Sequence, residues 1–128
     1  MEYCCHIWAG ASCTALRSLD KIQNCLLNLV GPELFSSLQS LSHRRNAASL
    51  ALFYRYYYSK CSNDLSSLIP KSYGSVCAPR ERRGSFHKHR VYVPRCKTTT
   101  HSNSFIPRTS MLWNSLPEEC FPSDYCMI

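Results

Sequence analysis

The stretch HRRNAASLALFYRYYYSKC, residues 43–61, is the longest part of the chain that the sequence predicts as a single helix. Neither glycine nor proline interrupts it, and its apolar residues recur at helical spacing. Such a helix spans about 28 Å, which is the width of a small domain. Because large apolar residues also lie on its other sides, we expect neighbouring elements to cover it nearly all round. The apolar stripe predicted for it consists of Ala47, Ala48, Ala51, Leu52, Tyr54 and Tyr58.

Two interpretations of this helix follow from its residues. In the first it is a packing element whose tyrosine hydroxyl groups lie at the edge of the core, and the pattern favours this one. In the second the side chains of Arg44, Arg45 and Arg55 contact phosphate groups.

Composition indicates one folded domain, or part of one, with a basic middle segment. The chain has 128 residues, of which 45% are hydrophobic and 18% charged, so disorder is not expected. Its net charge of +7 is uneven, since eight of the fifteen Lys and Arg residues lie between Arg80 and Arg108, with Glu81 the only acid there. A polyanion is the partner that this pattern favours, and a solvated loop without a partner is the alternative.

Nine cysteines are an odd number, and several occupy positions where small apolar residues are expected. The opening residues MEYCCHIWAG contain neither the basic start nor the apolar run of an export signal. We therefore expect reduced thiols in an intracellular protein, nuclear or cytoplasmic and not secreted. No apolar run approaches the length of about 20 residues that crosses a membrane, so no membrane partner is expected.

Further helices are predicted on both sides of the central one. The first begins at Ser12 or Thr14 and ends at Gly31 and Pro32. Its apolar stripe consists of Leu16, Leu19, Ile22, Leu26, Leu29 and Val30. A short amphipathic turn is predicted at residues 33–41, and a short helix at residues 64–69 is stopped by Pro70.

The periodicity changes to two near residue 90. Val91 and Val93 would point one way and Arg90 and Tyr92 the other, and residues 100–106 could return as an antiparallel partner strand. A short helix begins at Pro107, and one further turn opens at Glu118. The predicted fold class is α+β and mainly helical: two to three N-terminal helices, then a basic two-stranded antiparallel ribbon and a short C-terminal helix. The predicted divisions of this one incomplete domain are a helical segment at 1–70, a basic loop at 71–89, and the ribbon with its helix at 90–128.

Residues that could carry chemistry are few. The carboxylates are scattered, and no glycine loop that cradles phosphate occurs. One cluster has donors suited to zinc, although its spacing is poor and no C-x-x-C pair occurs. It consists of Cys77, His87, His89, Cys96 and His101. The alternative is that these histidines extend a basic face and the cysteines fill space. Aromatic residues alternate with bases from Phe86 to Arg95, a pattern that either stacks nucleic-acid bases or docks on a larger protein.

The closing stretch FIPRTSMLWNSLPEECFP is similar to the C-terminal tail of reverse transcriptases from non-LTR, LINE-type retrotransposons. In the tail of that family, a Pro-Arg-Thr motif leads into Leu-Trp-Asn-x-Leu-Pro. The segments LDKIQNCLLNLVG and HRRNAASLALFYRYYYSKCSNDLSSLIP, together with MEYCCHIW, resemble the regions that precede this tail. The resemblance therefore covers essentially the whole chain, and the tail after Pro122 is shorter than is usual in the family.

The resemblance implies a thumb and tail fragment without polymerase chemistry. In the family, synthesis depends on palm-domain aspartates that include an Asp-Asp pair, and no such pair occurs in these 128 residues. No catalytic residue and no cofactor is therefore carried over. The expected partners that remain are RNA or DNA backbones, bound without sequence preference, and the remainder of the polymerase. The candidate phosphate contacts are Arg80, Arg82, Arg83, Lys88, Arg90, Arg95 and Lys97.

Two alternatives stay open. The chain could be a small protein interaction module that uses its Leu-rich and Tyr-rich helices, in which case its binding would respond little to salt. A zinc-stapled domain would instead unfold when a chelator is added.

Overall fold

The computed structural model describes residues 3–30, 39–69 and 88–121, which form six helices and one 3₁₀ turn and contain no strand. The helices are α1 (Cys5–Trp8), α2 (Cys13–Val30), α3 (Leu41–Tyr57), α4 (Asn63–Ser67), α5 (Thr99–Asn103) and α6 (Phe105–Asn114). The 3₁₀ turn covers Glu118–Cys120, where one further turn was predicted. The amphipathic turn predicted at 33–41, the basic loop predicted at 71–89 and the end of the chain lie largely outside the described residues.

The predicted central helix is confirmed as α3, and four other helices pack on it: α1, α2, α4 and α6. The side chain of Ser40 accepts a hydrogen bond from the backbone N–H of His43 at 3.2 Å and so caps its first turn. The helix ends at Tyr57, and the left-handed backbone of Ser59, with φ of 51°, turns the chain away.

The buried face of α3 differs from the predicted one. Its buried residues are Leu41, Arg45, Ser49 and Phe53, each four positions after the last, whereas Ala47, Ala48 and Ala51 are exposed. The prediction that neighbours cover this helix nearly all round was therefore wrong. The physical reason is that the small side chain of Ser49 lets α6 pack closely on this side of α3. On the same side, the buried Arg45 pairs with the Asp20 carboxylate of α2.

An aromatic core fills the space between α3, α6 and the segment that contains Val91. Phe53, Val91, Trp113 and Phe121 form one buried cluster. The ring of Trp113 lies 5.2 Å from that of Phe53 and 5.0 Å from that of Phe121, measured between centroids. Such edge and tilted ring pairs add to the hydrophobic stabilisation of a core. Tyr54, Tyr57 and Tyr58 cover the cluster at its margin, as the packing interpretation expects.

The predicted two-stranded ribbon was wrong, although the mainly helical class is confirmed. Residues 100–106 are not a strand but belong to α5 and to the start of α6. Thr98 initiates α5, because its hydroxyl oxygen accepts a hydrogen bond from the backbone N–H of His101 at 3.2 Å. The predicted short C-terminal helix is present as α6, with Pro107 as its third residue, where no intrahelical N–H donor is needed.

α1 and α5 approach each other closely behind α3. Gly10 follows α1, and a Cβ atom at this position would collide with the backbone carbonyl oxygen of Asn103. Only glycine fits between these two backbones without a shift.

The predicted helix before α3 is confirmed as α2. Ser12 accepts a hydrogen bond from the backbone N–H of Ala15 at 3.3 Å, so the predicted start is correct. Its packing differs from a simple amphipathic helix, because Gln23 is its buried residue, while Ile22, Leu26 and Leu29 are exposed. Neither α2 nor any other described helix is both long and apolar enough to cross a membrane.

Candidate nucleic-acid interface

The basic segment, defined as residues 88–97, is fixed to the fold by two neighbouring side chains of α6. The indole Nε1 of Trp113 donates a hydrogen bond to the carbonyl oxygen of His89 at 2.8 Å. The amide of Asn114 binds Val91 twice: its Oδ1 accepts from the backbone N–H at 2.9 Å, and its Nδ2 donates to the carbonyl oxygen at 2.8 Å. The backbone is therefore held at three points within three residues.

Asn114 binds the backbone of Val91 in the way that a neighbouring strand would. A primary amide has a donor and an acceptor side by side, the same pair that a neighbouring strand presents. One side chain therefore satisfies both backbone polar groups of Val91. The side chain of Val91 is fully buried in the aromatic core, which anchors the segment from the other side.

Three of the seven candidate phosphate contacts are exposed on this segment: Lys88, Arg95 and Lys97. Arg90 is half-buried beside the anchored Val91. The segment contains no acidic residue, so nothing within it neutralises these cations. The candidates Arg80, Arg82 and Arg83 lie outside the described residues.

The aromatic residues of the segment divide between surface and core. Tyr92 is 45% exposed, so its ring is available for stacking with another planar group. His89 instead stacks on Phe121, with ring centroids 4.9 Å apart and planes 25° apart, and so belongs to the core margin. Of the alternating pattern seen in the sequence, only Tyr92 offers an exposed ring among the residues described.

The proposed zinc donors are not gathered by the described part of the structure. Cys77 and His87 lie outside it, and no group of three or more His, Cys, Asp or Glu side chains within it is arranged to hold a metal. The Cys96 thiol donates to the carbonyl oxygen of Pro94 at 3.3 Å, and the seven described cysteines are free thiols. A zinc site through the complete set stays a prediction.

The arginines of α3 have different environments. Arg45 is only 4% exposed, and its guanidinium pairs with the Asp20 carboxylate at 2.9 Å and lies 5.8 Å from the centroid of the Trp8 ring. Arg44 donates to the side chain of Gln23 at 3.3 Å. Arg55 is exposed. The burial of Arg45 means that this arginine links helices instead of contacting phosphate.

Arg108 forms a second, partly buried link that the sequence interpretation did not identify. Its guanidinium donates to the Ser49 hydroxyl oxygen at 3.3 Å and to the His6 carbonyl oxygen at 3.5 Å, thereby joining α6 to α3 and α1. Burial lowers the pKa of Arg108 below its ordinary value; Cys5 opposes this shift, and the nearby Arg45 cation adds to it. Arg108 therefore stabilises the packing of three helices.

The motif residues of the closing stretch thus have structural roles. Pro107 and Thr109 are buried, Arg108 joins three helices, and Trp113 and Asn114 hold the basic segment. The sequence contained one signal for this anchoring role, a Trp-Asn pair at the end of a short helix, but not the identity of the backbone that the pair binds. No family model, curated protein or solved structure matches this chain.

Proposed function

We propose that this chain is a catalytically incompetent remnant of a non-LTR retrotransposon reverse transcriptase whose remaining activity is sequence-independent binding of nucleic-acid backbones. One observation carries the binding proposal: a basic segment, free of acids, is fixed to the core by Trp113 and Asn114. The family origin rests on the resemblance of the motifs, and the proposed intracellular location rests on the nine cysteines, which we expect to be reduced thiols. The absence of enzymatic activity rests on the missing Asp-Asp pair in these 128 residues.

The anchoring favours binding because the segment loses less conformational entropy when it associates with a nucleic acid. A flexible basic loop must be ordered when it binds, and this ordering opposes association. Residues 89–91 are already held by three hydrogen bonds, so their backbone loses little freedom. Lys88, Arg95 and Lys97 then extend from a fixed support and can contact successive phosphates.

Tyr92 gives the segment a preference for unpaired bases. Its exposed ring lies in the sequence between Arg90 and Arg95. Stacking of a base on an aromatic side chain contributes about 1–3 kcal/mol and is tolerant of sequence. We therefore expect single strands to bind more tightly than duplexes of equal length.

The salt dependence of binding tests the proposal. We expect the logarithm of the affinity for a labelled single strand to fall with the logarithm of salt concentration with a slope of about −3, as for about four neutralised phosphates. Fluorescence anisotropy at several salt concentrations measures this slope. The variant Arg95→Gln/Lys97→Gln should lose about 1.5 units of slope.

The matched control is Arg17→Gln/Lys21→Gln, which removes one arginine and one lysine from the exposed surface of α2. Both variants change the net charge equally, so a general charge effect would weaken binding equally in the two. A larger loss of slope in the basic-segment variant supports the proposal. A flat salt response of the wild-type chain, or equal losses in both variants, would contradict it.

Polymerase activity is testable separately. Without an Asp-Asp pair to hold two divalent metals, the purified chain should not extend a primer in magnesium or manganese. Sustained extension would overturn the assignment as a remnant without activity.

The second candidate function is protein interaction through the helices, and the exposed apolar side of α2 favours it. Leu29 is 82% exposed and Val30 60%, which is unusual for adjacent large apolar residues in one helix. Binding through this surface would respond weakly to salt, in contrast to nucleic-acid binding.

A further inference from the structure

We propose that Thr98 is a phosphorylation site, and that a phosphate there weakens the binding of nucleic acid by the basic segment. The modifying enzyme is a protein kinase of the class that selects an arginine three residues before its acceptor hydroxyl group. The regulatory half of this inference rests on the proposed function, whereas the modification itself does not.

The sequence around Thr98 has the charge pattern of such an acceptor. In RCKT, residues 95–98, an arginine precedes the threonine by three positions and a lysine by one. Charge patterns of this kind allow a kinase to distinguish among substrates, because acidic groups beside its active site bind the preceding cations. Arg95 and Lys97 are both exposed, so an enzyme can reach them. Among the described serines and threonines, only Thr98 follows an arginine at this distance.

The structure presents this acceptor at the surface in an extended conformation. Thr98 is exposed, and its backbone has φ of −125° and ψ of 151°. Residues 92–98, which include both cations, contain no helix. An extended backbone lets separate pockets bind individual side chains. The helix that follows, α5, has only five residues and little stability of its own, so an enzyme can open it when it binds.

The hydroxyl group of Thr98 can accept a phosphoryl group. Its oxygen accepts one hydrogen bond, from the backbone N–H of His101 at 3.2 Å, and a threonine oxygen has two lone pairs. ATP is the phosphoryl donor. The Thr98 oxygen forms a bond to the γ-phosphorus, the bond from this phosphorus to the oxygen that it shares with the β-phosphate breaks, and ADP leaves. The hydroxyl proton passes to the catalytic aspartate of the kinase.

A phosphate on Thr98 opposes the charge of the basic segment. It adds a charge of about −1.5 to −2 at neutral pH. The exposed cations of the segment are Lys88, Arg95 and Lys97, so the phosphate offsets at least about half of their charge. The Cα atoms of Lys97 and Thr98 are about 3.8 Å apart, and that of Arg95 lies within about 11 Å along the chain. The phosphate on Thr98 therefore competes with the phosphates of a bound strand for the same side chains.

Treatment of the full chain with ATP, magnesium and a purified kinase selective for arginine at this position tests the modification. Every sample carries Ser85→Ala, because Ser85 also follows an arginine by three positions and lies outside the described residues. Tandem mass spectrometry locates the phosphate, and we expect it on Thr98. Arg95→Gln should slow the reaction about tenfold, since a charged hydrogen bond to the enzyme is lost. Thr14, which is exposed and follows no arginine, is the internal control.

The variant Thr98→Asn removes the acceptor and preserves the local structure, because an asparagine side chain can accept the same hydrogen bond from the N–H of His101. It should take up no phosphate at this position. Absence of phosphate from Thr98 in the parent chain, equal modification of Thr14, or an unchanged rate in Arg95→Gln would overturn the site.

Binding of the phosphorylated chain to a labelled single strand tests the regulation. Fluorescence anisotropy should give a salt slope smaller by about 1.4 units than that of the unmodified chain, as for two lost phosphate contacts. Kinase-treated Thr98→Asn should bind as the unmodified chain does. Equal slopes for the modified and unmodified chains would overturn the regulation. A flat response of the unmodified chain would contradict the proposed function and the regulation with it, whereas mass spectrometry decides the modification independently.

Discussion

Asn114 shows how one side chain can decide the path of a segment. Its amide satisfies both backbone groups of Val91, and its neighbour Trp113 binds the carbonyl oxygen of His89. Two adjacent residues of α6 therefore make three hydrogen bonds to the backbone of two residues of the basic segment. This arrangement connects the interior of the fold to the surface that we propose binds nucleic acid.

Replacing Asn114 should be costly. In Asn114→Ala the buried N–H and C=O groups of Val91 lose their partners, and each unsatisfied group costs about 1–3 kcal/mol. We expect the free energy of unfolding to fall by about 2–4 kcal/mol, measured by urea denaturation. Ser115→Ala is the neighbouring control, because its exposed hydroxyl donates only to Leu112 within the same helix. Similar losses in the two variants would contradict the anchoring role.

At the scale of elements, α3 and α6 meet through small polar residues. Ser49 of α3 and Thr109 and Ser110 of α6 are fully buried. Such small side chains allow two helices to approach closely, and they leave no room for larger groups. The exposed alanines of α3 lie on other sides of the same helix.

The two sides of α3 can be distinguished by a pair of substitutions. Ser49→Leu should force overpacking against α6 and destabilise the fold by about 1–3 kcal/mol. Ala48→Leu, one position earlier and exposed, should change stability by less than about 0.5 kcal/mol. Thermal unfolding of both variants checks this difference. A larger loss of stability in Ala48→Leu than in Ser49→Leu would contradict this and support the buried face that the sequence pattern predicted.

Most helices could be predicted from the sequence, but their neighbours could not. α2, α3, α4 and α6 lie where periodicity, capping residues and prolines predicted them. The faces of α2 and α3 were assigned to apolar stripes, whereas Asp20 and Gln23 of α2 accept hydrogen bonds from Arg45 and Arg44 of α3. Polar pairing between helices depends on residues distant in sequence, which no local pattern reveals.

The candidate site illustrates the same limit. The alternation around Val91 predicted a half-buried strand; Val91 is buried and Tyr92 exposed as the pattern indicates, but the described residues contain no strand. It could not indicate that a side chain 23 residues later would bind both backbone polar groups of Val91. Thr98 was a local signal for a helix, since its hydroxyl caps α5, and the strand interpretation did not use it.

At the scale of the whole molecule, two arginines join the N-terminal helices to the rest of the fold. Arg45 connects α3 to α2 through Asp20 and contacts Trp8 of α1, and Arg108 connects α6 to α1 and α3. Polar contacts therefore help to hold the N-terminal helices, while the aromatic core stabilises the other end. The basic segment lies at this aromatic end, and the exposed leucines Leu26 and Leu29 belong to α2.

Removing the carboxylate of this junction should loosen α2. In Asp20→Asn the buried Arg45 cation loses its only ion-pair partner among the described residues, and breaking a buried pair costs several kcal/mol. Because the Asp20 side chain is 36% exposed, solvent moderates this cost, and we expect about 2 kcal/mol. Relative to the wild-type chain, Asp20→Asn should accelerate amide hydrogen exchange in α2 more than in α6. Asp64→Asn, at an exposed position of α4, should leave both unchanged. Equal acceleration throughout the chain would argue against a local junction.

Nuclear magnetic resonance titration tests the central claim, that the basic segment is the nucleic-acid interface, most directly. Short single-stranded and duplex oligonucleotides are added to the labelled full chain, and backbone amide shifts are followed residue by residue. We predict that the largest changes fall within residues 88–97, with Tyr92 responding more to the single strand. Changes concentrated on α2 near Arg17 and Lys21, or no changes at saturating oligonucleotide, would contradict the account.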